Sequence, residues 1–518
     1  MSRRNLFVLL MAVILLASFL RLLHFASIPP GLYPDEAMDG NSALEAAHTS
    51  PFLRGLKVFY PENNGREGLY VNAVAVLFKI SGAAPEPWVV RLPAAISGIL
   101  TVAGLYFLAA ELFSVEVGLL AAFLLATSFW HIDFSRIGFR AIMAPLFLTW
   151  TLYFLLKAFR KLRNGASSLR VVPFFLISGV LWALGFYTYI AYRVTPALIL
   201  LVFAFYWLER RKGITRSQVI RAAAVFCSFS AIVSVPLAYY FRTNPGTFFE
   251  RASQISVFGS ATPLRDLARN TWKTLAMFNI RGDANWRHNI SARPELFWPV
   301  GILFLLGIVI GLSSLFSKAA KSTHEDAAKD ASAGIPHSRF PFALLFAWFL
   351  LAMLPVVISD DIAPHALRAL LMIPCAFLFA AVGGHSLYQW LRKFVEPRWL
   401  KLATIGFLGL LTFHAYHAYF VVWAGNPNVP DAFNSNYVII GRELNSLPAS
   451  TPKYLVVEAP GVLVRGIPMP AQTIMFITDT FGAEEQAAKN IHYVLPDEES
   501  SIPGDAKVFY LRDRGIGK

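Results

Sequence analysis

Charge is scarce in this chain of 518 residues, with only 15% Asp, Glu, Lys or Arg, where soluble domains carry about a quarter. With 56% hydrophobic residues and a mean hydropathy of +0.52, that shortage excludes an ordinary soluble domain. Cysteine is scarcer still. Cys227 and Cys375 each lie within an apolar run, which excludes a disulfide framework and a cysteine zinc site. No Rossmann or P-loop signature occurs, so no nucleotide-binding fold is indicated. The net charge of +14 does not point to nucleic acid either. Its Lys and Arg fall in short clusters between apolar runs, not interleaved with stacking residues on a polar face.

What is abundant is apolar runs of about 18–23 residues, long enough to cross a bilayer. They cover residues 6–24, 88–112, 118–130, 141–159, 171–190, 194–208, 219–241, 296–316, 340–358, 369–391 and 402–423, about eleven helices with 118–130 short. The first run follows Arg3 and Arg4 and has no small-residue cleavage site, so it reads as a retained helix with a cytoplasmic N-terminus. Residues 69–80 are apolar but too short to span, and read as lying along the interface. The basic clusters Lys157 to Arg170, Arg210 to Arg216, Lys318 to Arg339 and Arg392 to Lys401 fall on alternate connections and mark the cytoplasmic face. Residues 318–334 read as a flexible linker within the third.

The connections on the other side differ in kind. Residues 26–87, 131–140, 187–193, 242–294 and 359–368 mix carboxylates, Arg, His and Tyr at helix ends. After Trp423 the chain turns polar, with strands expected at 453–457, 491–495 and 507–511 and a helix at 436–447. The expected architecture is an all-α polytopic membrane domain, residues 1–423, followed by a small extracytoplasmic α/β domain, residues 424–518. The first outer loop, 26–87, is the expected catalytic segment, and 242–294 is a second long outer loop.

Four groups face that outer side: Asp35 with Glu36, Arg66 with Glu67, the loop of Ser135, Arg136 and Arg140, and His365 with Arg368. An ionised carboxylate can take a proton from an acceptor hydroxyl. Arginines can hold a phosphate and stabilise the charge that develops as it leaves. Sugar transfer from a lipid phosphate makes both demands.

The segments 31–37, 65–70, 91–95, 134–140, 185–193 and 364–368 together resemble the GT-C glycosyltransferases. Within that superfamily the chain is similar to the protein O-mannosyltransferases and the aminoarabinose transferases of lipid A. The resemblance implies a polyprenyl-phosphate donor and a hexosyl or pentosyl group moved to a protein, lipid or glycan acceptor at the outer face of the cell membrane. It makes Asp35 the general base and Glu36 its neighbour in the acceptor site, with Arg66 and Glu67 beside them. It makes Arg140, Arg136, Arg193, His365, Arg368 and Tyr187 the donor-phosphate set. No cofactor follows from it, although a divalent metal at Asp35 and Glu36 is compatible with it. Where relatives often carry Arg-Glu-Pro-Leu this chain has Arg66-Glu67-Gly68-Leu69, which puts the position of Glu67 in question.

Blander readings stand beside these. The arginines could snorkel at helix ends, Asp133 could pair with one of them, and His365 could be a satisfied interfacial histidine. His414 and His417 read as part of an aromatic belt, and the Arg281-Gly282-Asp283 tripeptide as a coincidence without weight. A flippase of lipid-linked sugar is the competing class; it should show inverted repeats and broken helices, and none is visible. A polysaccharide polymerase or ligase would not require Asp35-Glu36.

Overall fold

The computed structural model describes residues 2–208, 214–248, 256–316, 339–360 and 363–512. The basic residues Arg210, Arg211 and Lys212, the linker expected at 318–334 and Asp361 lie outside these residues. Helices α1 (Arg3–Leu22) and α2 (Pro34–His48) come first, then a hairpin of β1 (Phe59–Tyr60) and β2 (Arg66–Glu67), and helix α3 (Leu69–Ser81). Next come α4 (Pro87–Leu112), α5 (Val115–Ala126), α6 (Phe129–Phe134), α7 (Met143–Arg163), α8 (Ser168–Gly185), α9 (Thr195–Leu208) and α10 (Arg216–Thr243). Five more precede the C-terminal part: α11 (Pro263–Ala276), α12 (Trp298–Phe316), α13 (Phe340–Val357), α14 (Ile373–Leu391) and α15 (Pro397–Tyr416), the last extended by a π-helical turn, His417–Trp423; the helices Asn428–Ala432, Ser435–Ser446, Gln472–Thr478 and Ala483–Lys489 lie past it.

Ten helices among the described residues are long and apolar enough to cross a membrane. The run expected at 118–130 is not one of them, because it breaks between α5 and α6. Helix α5 rises only about 18 Å, short of a ~30 Å hydrocarbon core. Its neighbours nevertheless require a crossing. The start of α4 meets the first loop through Arg91 and Glu36, and Gly138, just past α6, meets the same Glu36. Since α4 carries the chain across, residues 115–134 must bring it back. With this broken helix counted, the ten spans become eleven crossings.

Arg21 of α1 makes the break tolerable. Its guanidinium donates to the carbonyls of Leu125 (3.3 Å) and Ala126 (3.1 Å) and lies 2.7 Å from His131 Nδ1. Carbonyls freed at membrane depth need such a partner.

Past Trp423, β3 (Lys453–Val457) is the centre of a three-stranded parallel sheet, and a separate hairpin joins β4 (Leu463–Val464) to β5 (Ile467–Pro468). The flanking strands of the sheet are β6 (Ile491–Val494) and β7 (Lys507–Leu511). This part packs on the first loop. Thr473 donates its hydroxyl to the Leu32 carbonyl (2.9 Å), and Asn41 donates to the Gln472 carbonyl (3.0 Å). Both therefore lie on one side of the membrane, as eleven crossings demand. Cysteines introduced at Ser167 and Ser450 in a Cys227→Ser background should label oppositely with an impermeant maleimide in intact cells. Equal labelling would break the crossing count.

Candidate functional site

Pro34 opens α2 at a position where its missing N–H costs nothing. Asp35 and Glu36 follow in the first turn, where the helix dipole favours negative charge. Neighbouring helical residues point about 100° apart, and here the two meet different surroundings. Glu36 is fully buried, Asp35 exposed.

The Glu36 carboxylate is completely engaged. Arg91 donates to it from Nε (2.8 Å) and Nη2 (3.0 Å), and the backbone N–H groups of Gly138 (2.7 Å) and Tyr33 (3.2 Å) complete the set. A Cβ at residue 138 would stand 3.1 Å from the carboxylate oxygen, so glycine permits the close approach. Glu36 thus holds the loop; its oxygens are not open to an acceptor or a metal.

The other inward carboxylates are paired likewise. Asp39 takes Arg66, which also reaches the Ser42 hydroxyl (2.9 Å). Burial nevertheless outweighs that arginine and raises the Asp39 carboxyl above its ordinary range. Glu67 takes Arg140 (3.0 Å). The question of Gly68 resolves here: its N–H donates to the Val58 carbonyl (2.9 Å) and a Cβ would lie 2.0 Å from the Lys57 carbonyl oxygen. Proline could not make that hydrogen bond.

Asp35 is the exception in this group. It has no ion pair among the described residues and accepts one side-chain hydrogen bond, from Asn63 (2.8 Å). Beside it the Arg287 guanidinium covers the Tyr33 ring at 3.5 Å.

Three members of the expected phosphate set are engaged in holding backbone. Arg136 donates to the carbonyls of Leu20, Leu23 and Ile28 (3.2, 2.7 and 2.8 Å) and so clamps the end of α1. Arg193 binds the Phe248 carbonyl (2.7 Å) and stacks on that ring. Tyr187 donates its hydroxyl to the Val233 carbonyl (2.6 Å). Asp133, read as an arginine's partner, is fully buried with neither oxygen hydrogen-bonded. His414 stacks on Phe297 at 3.6 Å, as an aromatic belt would have it.

A second polar cluster lies in the loops that lead into α12 and α14. Asp283 and His288 are hydrogen-bonded (2.9 Å), and the His288 and His365 rings are 5.1 Å apart. Burial lowers both imidazoles, with the nearby Arg287 and Arg368 acting in the same direction, so both are neutral at pH 7. Burial alone would raise the Asp283 carboxyl, but His288 and the backbone N–H of Asn285 hold it down, to about 2. Asp283 and His288 were not legible from sequence: one sits in the discounted tripeptide, and their shared partner His365 lies on a different loop.

The chain resembles known proteins in sequence and in fold. The pattern of the dolichyl-phosphate-mannose-protein mannosyltransferase family matches residues 71–239. An Archaeoglobus fulgidus oligosaccharyltransferase tethered with an acceptor peptide has the same fold (TM-score 0.56, 15% identity), over 96% of this chain and 64% of that one. So does ArnT from Cupriavidus metallidurans bound to undecaprenyl phosphate (TM-score 0.52, 14% identity), over 95% of this chain and 90% of that one. The chain thus spans under two thirds of the archaeal enzyme's length. No curated protein matches it significantly.

Removing the charge of Glu36 strands a buried Arg91, and breaking such a pair costs about 3–5 kcal/mol. Glu36→Gln should therefore lower the thermal unfolding midpoint in detergent strongly. Asp35→Asn, whose site is exposed and whose bond from Asn63 survives, should leave the midpoint where it is.

Proposed function

We propose that the chain is a membrane glycosyltransferase of the GT-C superfamily, which its family-pattern match and its fold support, and that it moves a sugar from a polyprenyl-phosphate donor to an acceptor hydroxyl, with Asp35 as general base. The observation that carries this reading is the pairing pattern of the first loop. Glu36, Asp39 and Glu67 are each neutralised by a buried or half-buried arginine, while Asp35 stays exposed and has only Asn63. A general base has to be reachable and free of an ion pair, and Asp35 is the exposed carboxylate of the loop that has none among the described residues.

Arg368 holds the donor phosphate in this reading, with Arg140 beside the first loop as the second cation. Support for Arg368 is its position: it acts electrostatically on both His288 and His365 at the head of α14. As the donor bond breaks, negative charge gathers on the phosphate, and a fixed guanidinium stabilises it. The alternating basic connections support a site on the extracytoplasmic face of the cell membrane. The acceptor is a hydroxyl of a protein, lipid or glycan.

Asp35→Asn should lower turnover by about 10²–10⁴-fold in membranes loaded with donor and acceptor, with donor binding unchanged. Asp35→Glu should lose about 10²-fold through misplacement of the oxygen by about 1 Å. Folded Asp35→Asn protein working at the parental rate would overturn the assignment. Arg368→Ala should weaken binding of the polyprenyl-phosphate donor; unchanged affinity would make it a topological anchor.

A further inference from the structure

The cluster behind Tyr33 has the composition of a metal site. We propose that Asp283, His288 and His365 bind a divalent transition metal of the zinc class, which staples the loop entering α12 to the loop entering α14. This inference goes beyond the glycosyl-transfer reading and does not depend on it.

One ligand atom from each of the three residues lies within 4.8 Å of the others. A tetrahedral zinc with nitrogen and oxygen ligands near 2.0–2.1 Å sets them about 3.3 Å apart, so modest side-chain rotation closes the site. The Asp283 Oδ2 to His288 Nδ1 distance of 2.9 Å is already that short. His365 Nδ1 is buried and has no hydrogen-bond partner. A hydrogen-bonded Asp-His pair serving only to close its own loop would need no second imidazole turned toward it.

The carboxylate is held from behind. Asp283 Oδ2 accepts from the Ala366 N–H (2.8 Å) and Oδ1 from the Asn285 N–H (2.9 Å), which orients it as outer-shell bonds orient metal ligands.

Charge around the site decides whether a cation is tolerated. Arg287 and Arg368 oppose it. Against them stands Asp283 itself, with two further buried carboxyl groups near it, Asp133 and Glu295. Both oxygens of Asp133 and Oε2 of Glu295 lack any hydrogen-bond partner. Buried carboxyl oxygens without a partner are costly, and a divalent ion at the triad would give them an electrostatic one. Three protein ligands leave a fourth position for water or another oxygen donor.

The full chain, with any affinity tag removed, would be purified into nanodiscs, stripped with a chelator, reloaded with zinc and desalted. Elemental analysis should then find on the order of one zinc per chain. His365→Ala and Asp283→Asn should each reduce that content at least tenfold, while the His414→Ala/His417→Ala double variant keeps it. Zinc should raise the unfolding midpoint of the parental protein and not of His365→Ala. Cobalt(II) loading of the parental chain should give the intense visible bands of a tetrahedral site, a readout that survives even if a variant fails to fold. Zinc far below one per chain, unchanged zinc in folded His365→Ala, or a cobalt spectrum without those bands would each overturn the site. None of these readouts requires sugar transfer, so its failure leaves the glycosyltransferase reading standing, and the reverse.

Discussion

The ion pair of Glu36 and Arg91 is the contact on which the outer half of the molecule turns. Glu36 gathers α4 through Arg91, the loop after α6 through Gly138, and its own turn through Tyr33. Arg91 spends its remaining donors on the carbonyls of Pro29 (2.7 Å) and Gly31 (2.9 Å). Two side chains thus fix the entry to α2 relative to two separate membrane segments. A buried ion pair contributes little net stability against apolar packing. Its value is geometric: every donor and acceptor is satisfied in one arrangement, so a slipped arrangement would leave a buried charge unpaired.

Asp35 stands outside that constraint. Glu36, at the third helical position, is drawn inward, while Asp35 on the preceding position is exposed. The same logic repeats along the loop, where Arg66 answers Asp39 and Arg140 answers Glu67. Along the first loop the buried carboxylates each meet an arginine, and the exposed Asp35 meets none among the described residues. Arg136 belongs to the same scaffold, gathering three carbonyls at the end of α1, under the faces of Tyr419 (5.3 Å) and Phe420 (5.1 Å).

What was readable in the sequence was whatever depends on local composition. Apolar length located the spans; strands at 453–457 and 507–511 fell where the β-like runs stand, and 491–494 lacked one residue of its run. The break between α5 and α6 was missed because hydropathy does not register a helix end that a distant Arg21 satisfies. Pairing was equally illegible. Glu36 and Arg91 stand 55 residues apart, and nothing near either one names the other. An arginine at a helix end has the same local signature whether it will hold a phosphate or, like Arg136 and Arg193, a row of carbonyls. Asp283 and His288 were obscured for a further reason, since their third partner comes from another loop.

Helix α2 also explains why the polar C-terminal part cannot be treated as an appendage. Ala37, Ala43 and Leu44 of α2 belong to the main core, while Met38 belongs to the C-terminal core beside Leu455 and Ile474. The helix that carries Asp35 is therefore buried on two faces, against two different bodies of packing. Arg465, in the turn between β4 and β5, adds contacts to Glu45 (2.8 Å) and Glu62 (3.4 Å) from above. Each exposed pair is worth little alone. Together with Asn41 on Gln472 and Thr473 on Leu32, they pack the C-terminal part of the chain against the first loop. A group of strands with so small a core of its own gains much of its stability from such a neighbour. The turn that carries Asp35 is thereby packed against both the membrane helices and the C-terminal part, with Asp35 itself exposed.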